Sequence, residues 1–307
     1  MQRPSPLEAP ITTVRDISAL SCNEPLQAQR IGRRVDIRVG RAGHVSTVGH
    51  MKYLDVDGVG KVSRIGLGTW QFGSFEWGYG DSYASGAARD IVQRALALGV
   101  TLFDTAEIYG LGKSERILGE ALGDKRADVA VASKIMPVAP FPPVVKQRAR
   151  ASARRLRLDR IPLYQVHQPN PVVPDSVIMP GMRELLDSGV IGAAGVSNYS
   201  LSRWQKADAA LGRPVISNQV HFSLAHPQAL DDLVPFAQRE NRIVIAYSPL
   251  AQGLGGKYGV ENRPGGVRAV NPLFGTENLR RIEPLLQTLR DVGARSTRSR
   301  HRWRWPG

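Results

Sequence analysis

The sequence predicts an α/β fold built on a parallel sheet. Short β-branched runs alternate with amphipathic helical stretches from residue 64 onward. The strand–helix unit recurs roughly every 30 residues, the length of a βαβ crossover. Gly99 and Gly189 stand where helices need a left-handed cap to stop.

Taken in order, MKYLDVDGVGKVSRIGLGTW from Met51 reads as a hairpin followed by a strand. Strands are predicted at Arg64–Leu67, Val100–Asp104, Val129–Lys134, Leu163–His167, Gly192–Ser197, Val215–Phe222 and Arg242–Ser248. Helices are predicted between them at Ala84–Leu98, Ser114–Leu122, Val144–Leu158, Val177–Ser188, Ser202–Leu211 and Gln228–Glu240. A Gly-rich loop at 253–275 leads to one more, Asn278–Val292. Such alternation builds either a doubly wound sheet or a barrel. Seven strands and seven helices are present, where a closed barrel has eight of each. After Val292 the chain reads GARSTRSRHRWRWPG, without strand pattern or helical period.

The ends differ from the middle. The net charge is +14, of which residues 1–50 carry +3, residues 294–307 carry +5, and 51–293 only +6. A diffuse +6 on a large domain is weak ground for nucleic acid, so no nucleic-acid partner is expected. Residues 1–50 mix Pro, Arg, Gly and Ser without a period, as a disordered leader does. The expectation is that Met51 is the natural start and that 1–50 is upstream read-through; an organelle-targeting leader is the alternative. No apolar run is long enough for a membrane span, and no secretory signal is recognisable. Cys22 is the only cysteine, which fits a cytoplasmic setting.

Four polar groups fall at or just past strand ends. Asp104 closes TLFD, Tyr109 follows five residues on, Lys134 closes VAVASK and His167 closes LYQVH. In a barrel these ends converge on one rim, the place of active sites. A Lys and an Asp ending apolar strands are costly unless paired.

GLGTW at 66–70, FDTAEIYG at 103–110, ASK at 132–134, VHQP at 166–169, GVSN at 195–198, NQVHFS at 218–223 and AYSPLAQG at 246–253 resemble the aldo-keto reductase motifs, in that family's order. The likeness covers residues 52–292, about four-fifths of the chain. It implies a parallel (β/α)₈ TIM barrel with the eighth β/α unit missing. It also implies an enzyme that reduces an aldehyde or ketone with NADPH. By resemblance Tyr109 is the general acid, Lys134 lowers its pKa, Asp104 holds Lys134, and His167 orients the carbonyl. Gly68, Thr69 and Asp104 are similar to the residues near the nicotinamide ribose. Ser197, Asn198 and Gln219 match the carboxamide contacts, and Tyr247 the aromatic under the nicotinamide ring. Ser248, Leu250 and Gly253 match the segment over the pyrophosphate, and Trp70 and Trp77 the substrate-pocket wall. The stretch SPLAQGLGGKY is one residue shorter than the family's pattern, and nothing after Val292 matches the segment that grips the 2′-phosphate. The expectation is that a frame change near Gly293 or Ala294 produced that ending.

Simpler readings compete at several places. Asp104–Lys134 alone would pass for a structural ion pair, and His167 alone for a core histidine. His221 and His226 read as structural or surface groups. No His/Cys/Asp/Glu set has metal-ligand spacing, so no metal is expected. The Gly-rich loop lacks GxxxxGK[ST] and is no P-loop. ARRLRLDR at 153–160 reads as a solvated helix face, and the tail's Arg residues with Trp303 and Trp305 read as unselected sequence rather than as a membrane or nucleic-acid binder. The expected organisation is a leader (1–50), a reductase-like barrel (51–293) and an Arg-rich non-family tail (294–307). An unclosed barrel leaves two strand edges bare, so the chain is expected to be poorly soluble unless a partner seals the gap. The alternatives to an active reductase are an inactive truncated pseudoenzyme and a nucleotide-sensing binding subunit.

Overall fold

The computed structural model describes residues 11–15, 51–73, 81–254, 262–264 and 271–295. A hairpin opens the main body, with β2 at Tyr53–Val56 and β3 at Gly60–Ser63. Seven strand–helix units follow: β4 Ile65–Gly68, α1 Asp81–Ala97, β5 Leu102–Asp104, α2 Lys113–Leu122, β6 Ala130–Ile135, α3 Pro142–Leu156, β7 Ile161–Val166, α4 Asp175–Asp187, β8 Ile191–Ser197, α5 Leu201–Leu211, β9 Ser217–His221, α6 Leu233–Arg239, β10 Ile243–Tyr247 and α7 Thr276–Arg295. Strands β4 to β10 pair in sequence order, all parallel. All seven predicted strands and the opening hairpin are present within a few residues of their expected bounds.

The ring nevertheless closes. Residues Ile11–Arg15 form strand β1, which lies antiparallel between β10 and β4. Thr13 sits opposite Ala246 on one side and Ile65 on the other. This corrects the expectation of a structureless leader at these five residues, and of two bare strand edges. The physical reason is that edges of β4 and β10 carry unpaired N–H and C=O groups that attract any β-competent segment. In ITTVR, four of five residues are β-branched.

The period-2 alternation of the strands divides the core in two. One face of each strand meets the helices through residues such as Phe103, Val131, Tyr164, Val196 and Val244. The other face points inward, where Leu102, Ala130, Ala132, Leu163, Ala193, Ile243 and Ile245 pack with Val56 and Val62 of the hairpin. The hairpin thus plugs the barrel at the N-terminal ends of its strands. Interior crowding explains Gly195: a Cβ there would lie 2.1 Å from Ser217 Oγ and 2.8 Å from Gln165 Cγ.

The sixth helix departs from expectation. Gln228–Leu230 is an isolated 3₁₀ turn, and the helix starts only at Leu233. Asp232 accepts from the Leu233 N–H, and Pro235 falls in the first turn, where a missing N–H is harmless. A helix begun at Gln228 would have put that proline in its interior. The seventh helix runs to Arg295, past the expected end at Val292. The basic stretch at 153–160 is partly committed: Arg155 donates to the buried Glu115 at 2.6 Å, Arg157 to Glu120 at 2.9 Å and Arg160 to the Gly58 carbonyl at 3.2 Å. Among the described residues no helix is long and apolar enough to cross a membrane.

Candidate active site

The same alternation that fills the barrel with apolar side chains changes character at the strands' C-terminal ends. One step beyond Leu102 on the inward face is Asp104; one step beyond Ala132 is Lys134. The register sets Asp104 opposite Ala132 and Gly68 on its two neighbours. Lys134 is fully buried, with 0% of its side chain exposed.

A buried ammonium is tolerable only when each N–H finds a partner. Lys134 Nζ has three acceptors: Asp104 Oδ2 at 2.7 Å, the Thr105 carbonyl at 2.8 Å and the Tyr109 hydroxyl at 3.5 Å. The other carboxylate oxygen of Asp104 accepts from Gln219 Nε2 at 2.8 Å. Burial pulls the Lys134 pKa down, but Asp104 and then Tyr109 more than offset it, and the ammonium stays charged above its ordinary range. Tyr109 moves upward, because burial and Asp104 together outweigh the opposing Lys134 charge. Lys134 lowers the pKa as expected, through its charge and its hydrogen bond, but desolvation outweighs the cation and the phenol keeps its proton at neutral pH.

A cavity of about 450 Å³ opens above this pair. Tyr109, His167, Trp70 and Tyr247 give it ring surfaces. Trp70 stacks with Tyr109 at 6.0 Å between centroids, and His167 meets Tyr109 edge-on at 5.6 Å. Burial, and then the Lys134 charge, lower the His167 pKa to about 3. His167 is therefore neutral, and its Nδ1 is buried without a hydrogen-bond partner. The depressed pKa makes a stability prediction. Between its ordinary 6.5 and about 3 the unfolded chain binds a proton that the folded chain refuses. Stability therefore falls as pH drops through that window, by at most about 1.4 kcal/mol per pH unit from this group. Denaturant melts at successive pH values should show a slope that His167→Gln flattens; an unchanged slope in that variant contradicts the assignment.

The far wall comes from β8 to β10. Ser197 Oγ donates to the Gln219 carbonyl at 2.8 Å, and Asn198 Nδ2 to the His167 carbonyl at 3.3 Å. Asn198 adopts a positive φ of 61°, a conformation asparagine tolerates better than most residues. That turn aims its Oδ1 at the Tyr247 hydroxyl, which donates to it at 3.0 Å. On the opposite side Glu107 accepts from the Met136 N–H at 2.7 Å and pairs with Arg148, which also donates to the Met136 and Val138 carbonyls, each at 2.9 Å. This latch fixes the loop after β6 against the rim.

The aldo/keto reductase family model matches residues 64–303. The chain belongs to the aldo-keto reductase family. Its relatives include an uncharacterized oxidoreductase of Mycobacterium tuberculosis, 86% identical over 243 residues, 79% of this chain and 75% of the relative. The structure of a glycerol dehydrogenase from Gluconobacter oxydans superposes with a TM-score of 0.71 at 27% identity, covering 81% of this chain and 79% of that one. An aldo/keto reductase from Klebsiella pneumoniae, solved in complex with NADP and acetate, gives 0.56 at 27% identity, covering 80% and 95%. The chain is thus of an enzyme class that carries out carbonyl oxidoreduction on small molecules. The family match runs into 294–307, the segment the sequence reading set outside the family.

Within this aldo-keto reductase the cavity gathers Gly68, Trp70, Asp104, Tyr109, His167 and Ser197 with Asn198, Gln219, Tyr247 and Ser248, and Lys134 lies beneath them. Three expected positions are not in its lining. The Thr69 hydroxyl is fully buried, donating to the Asp104 carbonyl at 3.0 Å and meeting Ser114 Oγ at 2.8 Å, so it braces the strand end instead. Leu250 is 41% exposed and Gly253 follows it in a 3₁₀ turn, both outside the lining. Trp77 lies outside the described residues. The cavity adds Ile108, Met136, Gln168 and Gln252, which sequence reasoning missed. Ile108 and Gln168 adjoin the motif residues Tyr109 and His167, and Met136 falls two residues past Lys134; that nearness was the available signal. Among the described residues no cluster could hold a metal.

Proposed function

We propose that this chain reduces an aldehyde or ketone to an alcohol with NADPH, in a cytoplasmic setting. One observation carries the reading: the Lys134 ammonium donates to the Tyr109 hydroxyl at the floor of a cavity that also holds a neutral His167. Because Lys134 occupies a lone pair of that oxygen, the phenolic proton is free to point into the cavity. Tyr109 passes this proton to the carbonyl oxygen as the alcohol forms, and Lys134, held by Asp104, stabilises the phenolate left behind. Solvent entering the open cavity reprotonates Tyr109. An imidazole has a single N–H when neutral; with Nδ1 lacking an acceptor, the N–H belongs on Nε2, where it orients the carbonyl.

The residues fit a nicotinamide cofactor. Tyr247 offers a ring to the cavity, Ser197, Asn198 and Gln219 offer amide and hydroxyl groups, and Gly68 lines it at the end of β4. The bound nicotinamide supplies the hydride to the carbonyl carbon. NADP in the Klebsiella pneumoniae relative supports the phosphorylated form. Consumption of NADPH one-for-one with alcohol, across a panel of aldehydes and ketones, tests the proposal. A second reading, a chain that binds nucleotide without turnover, is favoured by the antiparallel strand standing between β10 and β4. Saturable NADPH binding without consumption of any carbonyl would select it.

A further inference from the structure

Two histidines outside the reacting group form a column with Tyr247. His221 ends β9 and is the direct register partner of Tyr247 on β10. Neighbouring strands lie about 4.8 Å apart, so side chains on one face at the same level meet. The His221 and Tyr247 rings are nearly parallel, with 10° between planes and 5.4 Å between centroids. Beyond His221 the chain makes a narrow turn, Ser223 to His226, closed by Ser223 N–H to the His226 carbonyl at 3.2 Å and His226 N–H to the Ser223 carbonyl at 3.0 Å. The turn carries the His226 ring back over His221, at 4.3 Å and 15°.

We infer that His221 and His226 are positioning residues, which back the Tyr247 ring and fix the plane on which the cofactor's nicotinamide rests. The inference rests on the cofactor reading above and deepens it. Tyr247 lines the cavity and is otherwise anchored by one hydrogen bond, from its hydroxyl to Asn198 Oδ1. That bond alone leaves the ring free to tilt. His221 covers one face and holds the other toward the cavity. Burial, with His226 beside it, keeps His221 below the ordinary histidine range, so the ring behind Tyr247 is uncharged at neutral pH. An uncharged backing does not repel a nicotinamide that becomes cationic when oxidised.

The test measures dissociation constants for NADPH and for ADP-ribose 2′-phosphate, which lacks the nicotinamide, by protein fluorescence. It compares the unaltered chain with His221→Ala, His221→Phe and His226→Ala. His221→Ala should weaken NADPH binding roughly three- to tenfold, leave ADP-ribose 2′-phosphate unchanged, and be rescued by His221→Phe. His226→Ala, on the partly exposed turn, should show a smaller loss of the same selectivity. Equal NADPH affinity in all four chains, or equal losses for both ligands, would overturn the inference. No binding of NADPH by the unaltered chain would instead overturn the cofactor reading, and the positioning role with it.

Discussion

Tyr109→Phe lowers carbonyl reduction by about 10²- to 10⁴-fold, the usual contribution of a positioned general acid. NADPH affinity stays within about twofold, since the lost atom faces the carbonyl rather than the cofactor. The ring stays in place because its packing survives: Trp70 still stacks on it and His167 still meets it edge-on. The variant frees one N–H of Lys134, whose bonds to Asp104 and the Thr105 carbonyl remain. Lys134→Met acts differently, since it leaves the Asp104 carboxylate buried without its cation, and it should cost folding stability as well as rate. Steady-state kinetics beside a cofactor titration separate the two. Full activity in Tyr109→Phe would remove Tyr109 from the chemistry.

Removing β1 has the second large effect. A chain beginning at Met51 bares β4 and β10 together, two parallel strands whose edges Ile11–Arg15 otherwise satisfy. It should elute as aggregates, while the full chain elutes as a discrete species. Thr13→Pro is the gentler variant. Thr13 is the residue paired on both sides, and proline takes away its N–H and strains the ladder. Its melting temperature should fall by several degrees, at about 1 kcal/mol for each net hydrogen bond lost. A Met51 chain as soluble and as stable as the full one would show that β1 does not close the barrel.

The rim that carries the candidate site was legible in the sequence because strand periodicity is rigid. Once Leu102 and Ala132 face inward, Asp104 and Lys134 must do so too, two residues on. Tyr109 and His167 were legible from motif context, as were Ser197 and Asn198 as cavity residues. What stayed hidden depends on partners distant in the chain. ITTVR is an ordinary short β-branched run; only the vacancy between two strands makes it a strand. The place of Met136 is set by Glu107 and Arg148, each on another element. Gln252 reaches the cavity because the chain after β10 coils through positive φ at Ser248, Ala251 and Gln252, a conformation no side-chain pattern announces. The upward shift of Tyr109 was hidden for the same reason, since burial is a property of the folded barrel and the Lys134 charge alone pointed the other way.

The most direct measurement is a titration of the full chain with NADPH, followed by fluorescence and set beside the same titration of Tyr247→Ala. The account predicts saturable binding at one site and a clear loss of affinity in the variant, because it assigns the Tyr247 ring in the cavity to the nicotinamide. An unaltered chain that shows no saturable binding, or a variant that binds as tightly, would contradict it.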